Sequence, residues 1–326
     1  MIFLSNKHIE PKRLIISGMM RSGTTLIQKA LSAHPEIDIE YQSRTNQLIG
    51  IKKLFLEGLG RENYHVLSHY NPSKGYKFQD FFEWQASQEA ACGQIFSGLE
   101  CSDSLVVGVK EVLAEEFYPK LLEEGVYCLN IIRDPRDVIA SMSFGHGSEF
   151  TGKPRPVLFD LRNWRKSVHF SLRLKESDSF KTIIFEDLIG DPDKVLGKLF
   201  DWLKVSKLPA KHVDNKMKEN KWNGNSSFGN KRPFDRSVIG GYKSILPLST
   251  ISFIDAVCFP EMDWAGYKLD NTELDIIATI RNYRDPFPIE RDEFDQDYSF
   301  SPNNIDYELN RVGKNIFHLN EEFFND

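Results

Sequence analysis

Arg13-Leu14-Ile15-Ile16-Ser17-Gly18-Met19-Met20-Arg21-Ser22-Gly23-Thr24-Thr25-Leu26-Ile27 is the stretch on which the reading of this 326-residue chain turns. Arg13 to Ser17 is short and apolar, the pattern of a buried strand. Gly18 to Gly23 is a turn-rich loop. Thr24 to Ala33 carries Leu26, Ile27, Ala30 and Leu31 at helical spacing and is closed by His34-Pro35. Strand, loop and helix in that order open a parallel α/β sheet. The two glycines have the spacing of a phosphate-binding loop, GxxxxGK[ST]. Such a loop turns backbone N–H groups inward, and the helix N-terminus behind it favours an anion. One position departs from the nucleotide-hydrolysing version: Thr24 stands where that motif has Lys, and the cation has moved into the loop as Arg21. The case for Mg²⁺-dependent nucleotide hydrolysis weakens accordingly. A glycine-containing turn with no ligand is the bland alternative, and the Arg-Ser-Gly-Thr-Thr run between strand and helix speaks against it.

Outward from the loop, Leu105 to Val109, Tyr127 to Ile132 and Thr182 to Phe185 read as further buried parallel strands. Helical patterns lie at Ala114 to Glu123, Arg136 to Met142, Leu161 to Lys175 and Pro192 to Lys204. The repeated β-α-β order predicts one P-loop-like α/β domain over residues 1–270, a three-layer fold with a central parallel sheet flanked by helices. The aromatic-rich stretch 49–98 (Phe78, Phe81, Phe82, Trp84) reads as an inserted helical cap. Residues 271–326 hold 13 acidic and 5 basic residues, a net of −8 within a chain total of −6, so residues 1–270 carry +2. This acidic C-terminal extension also holds Phe294, Tyr298, Phe300, Ile316, Phe317, Phe323 and Phe324. Those large apolar groups favour a segment docked on the domain or on a partner, as in a homo-oligomer, over a disordered tail. The overall negative charge argues against nucleic-acid binding. The four cysteines show neither CxxC pairs nor metal spacing, and no apolar run is long enough for a membrane span. With no signal-peptide pattern at the N-terminus, a cytoplasmic protein with reduced thiols is expected.

Ile131-Ile132-Arg133-Asp134-Pro135-Arg136-Asp137-Val138-Ile139-Ala140-Ser141 is the second constellation: a strand end, a Pro turn and a helix. Arg133 at the strand's carboxyl end and Ser141 two helical turns on could meet on one anion. A guanidinium fork and a hydroxyl donor suit a phosphate monoester. Taken alone, four solvated charges in a surface turn would explain the segment equally well.

Together the two segments resemble the cytosolic and Golgi sulfotransferases that use 3′-phosphoadenosine 5′-phosphosulfate (PAPS) and release 3′-phosphoadenosine 5′-phosphate (PAP). Arg21-Ser22-Gly23-Thr24-Thr25-Leu26 is similar to that family's 5′-phosphosulfate loop, and Arg133 to Ser141 to its 3′-phosphate element. Phe185-Glu186-Asp187-Leu188 resembles the segment after a central strand. Asn225-Ser226-Ser227-Phe228 resembles the segment lining the adenine. Arg236 to Lys243, with Gly240 and Gly241, resembles the late basic, Gly-rich loop, and Cys258 to Tyr267 the closing helix. The resemblance spans residues 13–268 and is nearer the tyrosylprotein and carbohydrate enzymes than the phenol and steroid ones. It implies PAPS as donor, PAP as product, no metal, and donor contacts from Arg21 to Leu26, Arg133, Ser141, Phe185, Ser227, Phe228 and Arg236.

Sulfuryl transfer places an electron-poor group between a leaving phosphate and an acceptor, so a protein mainly neutralises charge and aims the acceptor. Arg21 sits in the loop, and Lys110 lies at a strand's carboxyl end, where α/β folds place ligand contacts. The family's Lys at that position acts on the transferring sulfate. A solvated Lys110 paired with Glu111 is the alternative. The phenol-type His two residues after that Lys is Val112 here, so that base is missing. Tyrosylprotein and carbohydrate members have a Glu soon after the His-Pro. Glu40 is the candidate base, although strict register matches the catalytic Glu to Gln42 and the substrate-contacting Arg to Arg44. Glu111 is the other carboxylate considered. A small molecule or a carbohydrate is expected as the acceptor. A non-catalytic nucleotide-binding protein and a small-molecule kinase are the competing classes, and Arg21, Lys110, Arg133 and Ser141 together disfavour both.

Overall fold

The computed structural model describes residues 10–44, 48, 94–99, 103–145, 153–220, 231–292 and 294–313. Among the described residues, five parallel strands form the centre: β1 (Lys12–Gly18), β2 (Ile37–Tyr41), β3 (Val106–Lys110), β4 (Tyr127–Ile132) and β5 (Phe180–Ile184), in spatial order β2-β3-β1-β4-β5. The expected central strands are present, each within a residue or two of its expected bounds. β2 was not anticipated. It is an edge strand, buried only at Ile37 and Ile39, and its intervening Asp38 and Glu40 hide it from a search for continuous apolar runs.

The helices of the described residues, in chain order, are α1 (Thr24–Ser32), α2 (Tyr118–Glu123), α3 (Pro135–Ser143), α4 (Val157–Leu174), α5 (Phe185–Gly190), α6 (Pro192–Leu203), α7 (Ala210–Glu219), α8 (Leu248–Trp264), α9 (Ile276–Asn282) and α10 (Pro302–Gly313). Strand residues alternate between two apolar clusters. Leu14 and Ile16 pack with α1 and the α5–α7 run, while Ile15, Val107 and Val109 pack with Phe117, Tyr118 and Phe170 on the opposite face. That is the helix–sheet–helix layering the sequence predicts. The inserted stretch expected over 49–98 lies almost wholly outside the described residues.

Residues beyond 270 join a third cluster. Ile280, Tyr283 and Tyr298 are buried with α3, α4 and α8, and Tyr283 stacks on Phe253 with ring centroids 3.7 Å apart. Charge fixes α10. Glu308 accepts from Arg162 Nε at 2.9 Å and Arg165 Nη1 at 2.7 Å, and pairs with Arg311 Nε at 3.1 Å, all four side chains being buried. Burial alone would push the Glu308 carboxyl up, but the three guanidiniums hold it well below the usual carboxylate range. Pro260 inside α8 has no N–H to give the carbonyl four residues back. At the next carbonyl along, Val257, Arg165 and Arg311 both donate. No helix among the described residues is long and apolar enough to cross a membrane.

Candidate active site

At the carboxyl ends of β1, β3 and β4 the loop residues 18–23, the turn 133–134 and the loop 231–245 surround a cavity of about 440 Å³. Strand ends at a change of sheet direction are where open α/β folds bind ligands, and here β1 lies between β3 and β4. Arg21, Gly23, Thr24, Thr25, Leu26, Lys110, Arg133, Ser141 and Phe185, nine of the expected site residues, line it.

The loop owes its shape to two left-handed residues, Arg21 (φ 67) and Gly23 (φ 99). Gly23 is sterically required. A Cβ there would stand 2.4 Å from Cδ2 of Phe185. Arg21 Nε donates to Ser141 Oγ at 2.9 Å, and Arg133 Nη1 donates to the Arg21 carbonyl at 3.1 Å. The two constellations, more than a hundred residues apart, therefore meet. Arg133 also lies over the Phe185 ring, 4.6 Å from its centroid, and its Nη2 donates to the Val238 carbonyl at 2.7 Å. Its Nε is buried with no hydrogen-bond partner among the described residues, as is the hydroxyl of Ser22. Ser22 does not line the cavity, so any part it plays is through its backbone.

The charged turn is not a solvated one. Asp134 caps α3 by accepting from Arg136 N at 2.9 Å and takes both Arg136 Nε (2.9 Å) and Nη2 (2.7 Å). Asp134, Arg136 and Asp137 are all buried. The Trp164 indole donates to the Arg133 carbonyl at 2.8 Å, and the Asp134 N–H donates to Glu186 Oε1 at 3.1 Å. Glu186 Oε2 accepts from the Tyr267 hydroxyl at 2.6 Å. Burial pushes the Glu186 carboxyl up to about 7, against the pull of those two donors and of Arg133.

Lys110 is 1% exposed, and its Nζ lies 4.2 Å from the centroid of the Tyr41 ring, its partner in the β2–β3 register. It is not a solvated strand-end lysine. Glu111, equally buried, accepts from the Arg44 N–H at 2.7 Å. Glu40 lies on β2 outside the cavity lining, with Oε2 3.3 Å from Arg44 Nη1. Gln42 does line it, at φ 46, with its N–H on the Lys110 carbonyl at 2.9 Å. Arg236 is turned away, its Nη2 on the Gly190 carbonyl at 2.6 Å. The basic residues that the late loop brings to the cavity are Lys231 and Arg232. Ser227 and Phe228 lie outside the described residues. Lys231, Arg232, Asp235 and Ser244 are polar lining residues that the sequence reading did not single out, and nothing local marks them. Gln42 it named only as the strict family register's match to the catalytic Glu.

Two sulfotransferase family models match the chain: the sulfotransferase family over residues 12–102 and the sulfotransferase domain over residues 114–266. The chain belongs to the sulfotransferase superfamily. Both constellations fall inside the matched segments. Among solved structures this sulfotransferase is similar to the sulfotransferase domain of the curacin biosynthetic pathway (19% identity, TM-score 0.47, 79% of this chain and 99% of that one). It is also similar to the sulfotransferase domain of the Synechococcus PCC 7002 olefin synthase (17%, 0.49, 81% and 98%). A third likeness is to mouse sulfotransferase SULT7A1 complexed with PAP (14%, 0.47, 78% and 86%). No curated protein sequence matches the chain.

Proposed function

We propose that this sulfotransferase moves the sulfuryl group of PAPS to an acceptor hydroxyl or amine of a small molecule or carbohydrate, releasing PAP. The observation that carries this reading is the convergence of Arg21, Arg133, Ser141 and Lys110 on one cavity behind a phosphate-loop helix. The donor set fits a molecule with two separate anionic ends. The loop 21–26 offers backbone N–H groups and a helix N-terminus to the 5′ end. Arg133, with an unpartnered Nε, and the Ser141 hydroxyl suit a phosphate monoester at the 3′ end. PAPS, when bound, supplies a sulfuryl group already activated by its phosphate leaving group.

The chain's own residues then have three tasks. Arg21 and Lys110 neutralise charge on the transferring group and on the leaving phosphate. Phe185 backs the Arg133 guanidinium and would face the nucleotide, with Ser227 and Phe228 assigned to the donor by resemblance; Arg236 would join them only by leaving the Gly190 carbonyl. Glu40 is the proposed base, and its Arg44 ion pair would have to yield to the acceptor. Gln42, inside the cavity, can orient an acceptor by hydrogen bonding but cannot take its proton.

Thermal shifts with PAP, ADP and ATP plus Mg²⁺ test the donor class, PAP being expected to stabilise the fold where the others do not. Arg133→Ala should weaken PAP about tenfold to a hundredfold, as loss of a charge-assisted contact does. Adenosine 5′-phosphosulfate, which lacks the 3′-phosphate, should be nearly unaffected. Equal losses for both ligands would show that Arg133 holds the fold and not the phosphate.

A further inference from the structure

The cavity wall carries a buried carboxylate that the reaction leaves unused. Asp137 stands in the first turn of α3, one turn before Ser141 on the same helix face and four residues after Arg133, which precedes the helix cap, and all three line the cavity. A carboxylate between two groups meant for an anion is electrostatically unfavourable unless it has other work. Both of its oxygens do. Oδ2 accepts from the Gly240 N–H at 2.8 Å and Oδ1 from the Tyr242 N–H at 3.0 Å. Gly240 is left-handed (φ 72, ψ 12), which any side chain would resist. With that turn the N–H groups on either side of Gly241 point at one spot. Backbone folded in this way makes an anion-binding nest, and its anion is here an internal one.

The same loop holds Arg133, whose Nη2 donates to the Val238 carbonyl at 2.7 Å and lies 3.8 Å from Asp137 Oδ2. The contacts close a ring: Asp137 grips the loop by two N–H groups, the loop grips Arg133 by one carbonyl, and Arg133 faces Asp137 across the gap. Burial pushes the Asp137 carboxyl up, while Arg133 and the two N–H groups stabilise its charged form. An amide could not replace it. Asn has one acceptor oxygen, and its NH₂ would confront the second backbone donor.

We infer that Asp137 is a positioning residue for the donor's 3′-phosphate: by filling the Gly240–Tyr242 nest it fixes the 236–245 loop and, through Val238, the Arg133 guanidinium. Each of its oxygens accepts a backbone N–H, so its contacts serve to hold the loop. The inference rests on the reading of Arg133 as a 3′-phosphate residue and adds the group that sets it.

The experiment compares wild type, Asp137→Asn and Gly240→Ala, the last disturbing the nest while leaving every charge in place. PAP and adenosine 5′-phosphosulfate affinities are measured by calorimetry, and trypsin cleavage after Arg236 and Lys243 reports the loop in ligand-free protein. Both variants should bind PAP about tenfold more weakly, bind adenosine 5′-phosphosulfate within about twofold of wild type, and be cleaved faster. Turnover at saturating donor should be kept, so the loss falls on KM and not on kcat. If wild type binds PAP and both variants match it, the inference falls while the sulfuryl-transfer reading stands. If wild type does not bind PAP, both fall. Equal losses for the two ligands would make Asp137 a general support of the fold and would also overturn it. Should Asp137→Asn fail to fold, Gly240→Ala decides alone.

Discussion

Gly23→Ala should couple two parts of the site that the chain keeps far apart. At φ 99 an alanine is strained whatever the space around it, and its Cβ would stand 2.4 and 2.7 Å from Cδ2 and Cε2 of Phe185. That ring is 5% exposed and lies under the Arg133 guanidinium, so it cannot swing into solvent without releasing Arg133. The left-handed backbone costs about 1–2 kcal/mol, and forcing a methyl into a packed wall about 1–3 kcal/mol more. At roughly 2–4 °C per kcal/mol for a large domain, the thermal midpoint should fall on the order of 10 °C. PAP affinity should fall about tenfold, since a displaced ring misplaces Arg133. Phe185→Ala alone leaves a void and costs about 3–5 kcal/mol. In the double variant the ring that the new methyl strikes is gone, although the backbone strain stays. The double should therefore be less destabilised than the sum of the singles by about 1–3 kcal/mol. Denaturation of the four proteins, with calorimetric PAP titration of each, measures the cycle. Additivity within about 0.5 kcal/mol would refute the argument that the Gly23–Phe185 contact shapes the site.

Glu40→Gln should lower turnover about 10²–10⁴-fold with PAP affinity unchanged, as removal of a general base does; near-wild-type turnover alongside a dead Glu111→Gln would move the base to Glu111. Glu308→Ala leaves Arg162, Arg165 and Arg311 buried without their shared counter-charge and should destabilise by about 3–5 kcal/mol, and a thermal midpoint equal to wild type would show that α10 contributes nothing to the core. The Glu186 carboxyl, raised by burial to about 7, binds its proton more tightly folded than unfolded, so its contribution to stability is fully present below the ordinary Glu range and is lost as pH rises through about 7. Unfolding free energies of wild type and Glu186→Gln across that range should therefore differ in slope, and parallel curves would remove Glu186 as the titrating group.

The phosphate loop was legible because its determinants are local: a strand, two glycines at fixed spacing and an amphipathic helix specify the turn with little help from elsewhere. The same holds for the Pro turn that starts α3, although the Asp134 cap was not read from the sequence. β2 was illegible because an edge strand alternates, and an Ile-Asp-Ile-Glu run after His-Pro reads equally as a solvated loop. That error bears on the choice of base. Had the extended conformation continued, Gln42 would share a strand face with Glu40. The left-handed φ at Gln42 breaks the alternation, and it is Gln42, not Glu40, that lines the cavity beside Lys110. Lys231 and Arg232 line the same cavity, and the loop that follows them is held to α3 by Asp137, a contact spanning 103 residues that no local pattern encodes.

Charge composition misleads in the same non-local way. The −8 of residues 271–326, without the apolar groups that favour docking, would suit a solvated tail, yet Glu308 lies in the core facing Arg162 and Arg165 of α4. The asymmetry between a basic body and an acidic extension is thus in part a pairing completed inside the fold. Two of the positive charges counted for the body never face a ligand. Among the described residues, the charged groups around the cavity are the cations Arg21, Lys110, Arg133, Lys231 and Arg232, set against the carboxylates of Asp137 and Asp235. Asp137 is already bound to two backbone N–H groups, and the Asp235 carboxyl, at the cap of a short turn, accepts from the Ser237 N–H. Hydrogen bonding of this kind spreads a carboxylate's charge onto its donors, so the cavity keeps a positive field even though the chain as a whole is negative.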